Sequence, residues 1–194
     1  MSRNNRTEHR LGALFFPRQK GFTLIELMVT VALGTTLMMV AVPSFVQFQR
    51  NAQLSDAVSN FISAANTARA NAMKQGLNTY LVPATGTNWS SGWMVFADSN
   101  WNQVYNEGVD EVVLRHEALS ADITVTTPGA SSFTSGYLMF NGSGYPRLKS
   151  GAFGGGTMVM ANTSPRSSSI IVDPAGRVRS CKTDTTGCYL TPPP

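Results

Sequence analysis

The chain has 194 residues, a charged fraction of 13% and moderate glycine and proline, which excludes a disordered polyelectrolyte and a coiled coil. Its net charge of +4 is concentrated at the start: residues 1–21 hold Arg3, Arg6, Arg10, Arg18 and Lys20 against Glu8, and the remaining ten basic and ten acidic side chains cancel. With His116 the single histidine beyond residue 21 and only two cysteines, Cys181 and Cys188, the sequence offers no zinc ligand set and no thiol–base or hydroxyl–base pair, so neither a metal, a cofactor nor an enzymatic activity is expected.

Residues 1–21 read as a basic leader. It contains an apolar patch, "LGALFFP" at 11–17, which a real extension and a misassigned start codon explain equally. Phe22–Val42 follows, with Glu26 as its one charge. As a helix it spans about 31 Å, the thickness of a hydrocarbon core. Arg18 and Lys20 precede it, which places that end on the cytoplasmic side. A secretory signal has a shorter apolar run and a small-residue cleavage site. "ALG" at 32–34 supplies such a site only loosely, and the apolar run continues beyond it. A plain membrane anchor also agrees with composition. An ionised carboxylate at depth costs about 3 kcal/mol, however, and calls for a partner. If the chain is cut after Gly21, the new α-amino group of Phe22 in a neighbouring subunit supplies one.

This stretch, "KGFTLIELMVTVAL", closely resembles the type III signal of type IV pilins and type II secretion pseudopilins. The resemblance implies cleavage by prepilin peptidase between Gly21 and Phe22, N-methylation of Phe22, and an assembly role for Glu26. It also assigns an assembly role to Pro43, the helix-breaking residue of the motif.

Beyond Pro43, Leu54, Val58, Phe61, Ala65, Ala68 and Ala72 recur at spacings of three and four, an amphipathic helical stripe that predicts packing on a sheet. "KQG" at 74–76 supplies a basic last turn and a glycine stop. Short β-like runs then alternate with turn residues: 78–83, 92–98, 111–117, 122–126, 137–140, 157–161, 167–173 and 176–181. One helix followed by a run of strands predicts an α+β protein with an antiparallel sheet or sandwich. The predicted organisation is a leader at 1–21, a helix at 22–75 with 22–42 in the membrane, and a β-rich head at 76–194.

"SGWMVFADSN", "EVVLRHE", "YLMFNGSGYPR" and "IIVDPAGRVRSC" resemble the GspH/FimT family of minor pilins and pseudopilins. That resemblance implies a pilin-like fold and a single-pass inner-membrane protein with a periplasmic head. Its partners would be other pilins or pseudopilins and prepilin peptidase. In FimT-like members a Gly-Arg-x-Arg element is associated with DNA binding, and Gly176, Arg177 and Arg179 match it.

Residues 123–194 hold six basic and two acidic side chains, whereas 22–122 hold four and eight. "DPAGRVRSC" therefore has two readings. One is a β-hairpin with Arg177 and Arg179 on one solvent face, where charge discourages edge pairing. The other is a phosphate-binding strip of Arg177, Arg179 and Lys182, widened by Arg147, Lys149 and Arg166 and tethered by a Cys181–Cys188 disulfide loop. A loop so short contributes about 2.5 kcal/mol by chain entropy.

"DSNWNQVYNEGVDE" at 98–111 is rich in oxygen but fails the EF-hand template, and reads as a solvated loop. "GAFGGGT" at 151–157 reads as a flexible turn. Trp89, Trp93 and Trp101 read as core or loop anchors, and the final "TPPP" as an extended tail. Two roles remain: a minor pilin that captures DNA, and a structural pseudopilin that primes or caps a secretion fibre.

Overall fold

The computed structural model describes residues 21–129, 131–183, 185 and 188. The leader patch at 11–17 and the tail at 191–194 lie outside these residues. Helix α1 runs Leu24–Gln75, and the chain divides at Pro43 into two units, Met1–Val42 and Pro43–Pro194. Pro43 lies inside α1 and does not end it, contrary to the expected break. Proline's φ is compatible with a helix, and its cost is one lost hydrogen bond and a local clash.

In the second unit the stripe read from the sequence is the buried face of α1. Leu54, Val58, Phe61, Ala65, Ala68 and Ala72 are all buried, joined by Ala57 and Ala64. Gly76 follows directly, its N–H donating to the Ala72 carbonyl at 2.8 Å.

Nine strands follow: β1 Thr79–Thr85, β2 Asn88–Ala97, β3 Glu111–His116, β4 Ile123–Thr126, β5 Leu138–Phe140, β6 Pro146–Arg147, β7 Gly156–Asn162, β8 Ser167–Val172 and β9 Val178–Lys182. They form two antiparallel sheets, ordered β3-β2-β1-β5-β6 and β4-β7-β8-β9. Eight of the nine fall on predicted runs; the two-residue β6 is too short to carry a periodic signal. Pro83 is tolerated in β1 because pairing with β5 stops at Leu81, leaving that edge open where proline has no N–H to offer.

The principal core lies between α1 and both sheets. Leu81, Val95, Leu138 and Phe140 come from the first sheet and Met158, Met160, Ile170 and Val172 from the second. Phe61 is its centre, with ring centroids 5.5 Å from Trp89, 5.2 Å from Trp93 and 6.0 Å from Phe133. Trp89 also donates its indole N–H to the Phe133 carbonyl at 2.9 Å. A smaller cluster of Tyr80, Phe96 and Met139 occupies the opposite face of the first sheet, as strand alternation requires. Arg50 pairs with Asp122 at 3.5 Å, and Asn51 accepts from Asn162 at 3.1 Å, so polar contacts also fasten α1 to the second sheet.

The segment 151–157 is not an idle turn. Gly154 is buried, its N–H donates to the Pro146 carbonyl at 3.2 Å, and a Cβ there would run into the backbone of Arg147. Phe61→Ala removes a ring with no solvent exposure and three aromatic neighbours. Chemical denaturation of the full chain is expected to show a loss of about 3–5 kcal/mol.

Candidate functional site

In the first described unit, Thr23 caps α1. Its Oγ1 accepts the Glu26 N–H at 3.2 Å, and its carbonyl accepts the Leu27 N–H at 3.2 Å. Thr23 and Glu26 have the spacing of a capping box, a local signal independent of any charge partner for Glu26. A carboxylate in the first turn also sits favourably against the helix dipole. The large apolar side chains from Phe22 to Val42 are exposed, so this apolar surface has no cover among the described residues. Thr30, Thr35 and Thr36 turn their hydroxyls back onto the Leu27, Ala32 and Leu33 carbonyls. Those hydroxyls are thereby satisfied without water, and Glu26 is the only charged side chain of the span.

The second candidate is the hairpin of β8 and β9. Its turn is held by Asp173, whose Oδ1 accepts the N–H groups of Ala175 and Arg177 at 3.0 and 2.9 Å. Its Oδ2 pairs with Arg177 Nε at 2.7 Å. Burial pushes the Asp173 carboxyl up, but the backbone and side-chain hydrogen bonds from Arg177, its charge and the Ala175 N–H outweigh that and hold it below the ordinary carboxylate value. Arg177 is thus an ion-paired arginine in the turn.

Gly176 is required twice over. Its φ is +79°, and a Cβ would lie 2.5 Å from the Gly144 carbonyl oxygen and 3.1 Å from Arg69 Nε. Arg69, on α1, donates to the Gly144 carbonyl and to the Ala175 carbonyl, each at 3.0 Å, and so latches the hairpin turn to the helix and to the β5–β6 turn. No local pattern reveals Arg69, because its partners lie 75 and 106 residues away.

Register separates the expected strip. Arg179 is opposite Ile171 and Cys181 opposite Ser169, whereas Lys182 is opposite Ser168 and Ser180 opposite Ile170. Cross-strand partners share a face, so Arg179 and Lys182 leave β9 on opposite faces. Arg69, Arg177 and Arg179 line one open cleft, and Arg166 and Lys182 line another with Ser168 and Ser180. Cys181 and Cys188 are disulfide-bonded. Arg147 and Lys149 lie on the first sheet's side. Arg147 donates to the Gly151 carbonyl at 3.3 Å, and Lys149 Nζ to the Gln103 carbonyl at 2.8 Å.

The loop after β2 is less solvated than its composition suggests. Asp98 and Asp110 are buried, and each carboxylate accepts two backbone N–H groups: Asn102 and Gln103 for Asp98, Ser99 and Asn106 for Asp110. Trp101 is exposed at φ 61°, whereas Trp89 and Trp93 belong to the core. Among the described residues no three His, Cys, Asp or Glu side chains gather to hold a metal.

An exposed apolar helix with one carboxylate in its first turn, continuing into a head of two antiparallel sheets, is the architecture of a pilin-like subunit. The chain belongs to the type II transport protein GspH family, whose model matches residues 57–176. The prokaryotic N-terminal methylation motif matches residues 16–42. Over 55 residues the chain is 46% identical to the type IV major pilin protein PilA of Myxococcus xanthus, covering 28% of this chain and 24% of that protein. Over 58 residues it is 43% identical to a fimbrial protein of Pseudomonas aeruginosa, covering 30% and 37%. The chain thus spans only 24% and 37% of the lengths of these relatives.

The fold is similar to that of the type IV minor pilin FimU of Pseudomonas aeruginosa, with a TM-score of 0.54 and 14% identity over 73% of this chain and 99% of that one. It is also similar to the minor pseudopilin EpsH from the type 2 secretion system of Vibrio cholerae, with a TM-score of 0.50 and 8% identity over 69% and 99%.

The lowered pKa of Asp173 fixes the sign of an acid dependence. The ionised carboxylate stabilises the fold fully above the unfolded-state value, and that contribution is lost as pH falls through the folded-state value. Asp173→Asn is expected to cost about 2 kcal/mol at neutral pH. The difference between variant and wild type should shrink as pH drops below 4, in denaturation curves taken across that range.

Proposed function

We propose that this chain is a minor subunit of a type IV pilus-like or type II secretion fibre, inserted by Phe22–Val42 and registered by Glu26. Cleavage between Gly21 and Phe22, with methylation of Phe22, generates the amine that Glu26 meets in a neighbouring subunit, and the head stands on the periplasmic side. The observation that carries this reading is the single carboxylate in the first turn of an apolar helix whose large side chains are uncovered. In a bundle of such helices, amine and carboxylate neutralise each other in register, and an unpaired carboxylate opposes insertion. Glu26→Gln is expected to be cut and membrane-inserted normally but to fall at least ten-fold in sheared fibres, as read by immunoblot. Incorporation at the wild-type level would overturn the registration role.

A second function, non-specific DNA capture, rests on the basic hairpin edge. Arg166 and Lys182 flank one cleft, and no carboxylate among the described residues lies within ion-pair distance of either. Arg177 contributes less to such a surface than the sequence suggests, because Asp173 already offsets its charge. Phosphate contacts by these side chains would be salt-dependent and blind to sequence. In titrations of the full chain in micelles against duplex DNA, Arg166→Ala/Lys182→Ala is expected to flatten the log–log salt dependence by about 1.8, at about 0.9 per phosphate contact. Arg177→Ala should change it less. Absence of salt-dependent binding by the wild type would leave the purely structural role.

A further inference from the structure

The outer face of the first sheet, turned away from α1, carries a cleft of about 240 Å³ that neither role uses. Its walls are aromatic. Tyr80 and Phe96 stack at 5.3 Å, Tyr105 meets Phe96 edge-on at 5.4 Å, and Tyr137 lies 6.3 Å from Tyr80. Its polar side chains include three phenols and the Lys149 ammonium. The Tyr80 hydroxyl is buried and has no hydrogen-bond partner among the described residues. Burial, the Asp98 carboxylate and Tyr137 all push that phenol above its ordinary pKa, so it keeps its proton. The Tyr137 hydroxyl accepts the Lys149 N–H at 3.1 Å, which leaves its own proton to give. Lys149 Nζ lies 5.4 and 6.0 Å from the Tyr137 and Tyr80 ring centres and donates to the Gln103 carbonyl. Lys149 is exposed and lines the cleft beside Tyr80 and Tyr137.

Lys149 is the one charged side chain among the residues that line the cleft. Its ammonium, the phenol protons and the aromatic walls suit a ligand that brings hydrogen-bond acceptors, few donors and apolar rings. Consecutive prolines fit that description: they have no N–H, their extended polyproline II form leaves every carbonyl unbonded, and their rings pack on aromatic side chains. The chain carries such a segment in Tyr189–Pro194, "YLTPPP".

We propose that the Tyr80–Tyr137–Lys149 cleft docks the proline-rich segment 189–194 of a second copy of this chain. The choice of a second copy rests on the fibre reading, since neighbouring heads in a fibre hold each other's segments at high effective concentration.

The test uses the full chain and a version ending at Cys188, both in detergent micelles, with a fluorescein-labelled Tyr-Leu-Thr-Pro-Pro-Pro peptide followed by anisotropy. The shortened chain is expected to bind the peptide saturably. Tyr-Leu-Thr-Ala-Ala-Ala, which restores N–H donors and removes the rings, should bind at least ten-fold more weakly. Tyr80→Phe, which removes only the hydroxyl, should weaken binding about ten-fold while its melting temperature stays level or rises, because an orphaned polar group is gone. The full chain should self-associate with rising concentration and the shortened chain should not.

Equal binding of the alanine peptide, unchanged binding by Tyr80→Phe, no saturable binding, or self-association that survives the deletion would each overturn the proposal. A chain that fails here but still depends on Glu26 for fibre entry leaves the fibre reading intact. Peptide binding by a chain whose Glu26→Gln variant enters fibres normally removes the registration role alone.

Discussion

The head depends on one packing constraint: the second half of α1 presents mostly small side chains around the Phe61 ring. Ala57, Ala64, Ala65, Ala68 and Ala72 have little or no exposure, and Phe61 among them touches Trp89, Trp93 and Phe133. Alanines let the helix approach both sheets closely, and Phe61 fills the space where the sheets diverge. Side chains from eight of the nine strands belong to this cluster or pack against it, so both sheets are arranged around one helix. Burial of so much aromatic surface is the main favourable term for a head of this size.

Polar contacts then fix what packing leaves free. Arg69 spans from α1 to the Gly144 and Ala175 carbonyls, and Asp173 ties the same hairpin from within. These contacts sit on the segment whose charges attract attention in the sequence, and they divide it. Gly176 and Arg177 serve the turn, while Arg166 and Lys182 remain at the far end of the hairpin. A basic motif can thus be half architecture and half surface. The outer-face loop follows the same logic with opposite charge, because buried Asp98 and Asp110 are consumed as backbone acceptors.

Much of this was legible beforehand, for reasons that differ by element. The three- and four-residue spacing from Leu54 to Ala72 reports burial directly, since one face of a helix meets the core. Strand runs were legible because glycine, proline and asparagine punctuate them. Pro43 misled because a proline's cost to a helix is local, and the helix on either side continued. Segment 151–157 misled because glycine serves flexibility and close approach equally, and only a neighbouring backbone, here that of Arg147, distinguishes them. The Arg179–Lys182 strip misled because an odd number of residues along a strand reverses the face.

The sequence by itself determined the family, the apolar helix with its one carboxylate, the amphipathic stripe and the α+β class, because each is written in neighbouring residues or in a period of a few residues. Tertiary structure decided the rest. It determined that Arg177 is paired, that Arg69 latches the hairpin, and that Tyr80, Tyr105, Tyr137 and Lys149 share one cleft. Those relations join residues tens of positions apart, and no local spacing encodes a distance that exists only once the chain has closed on itself.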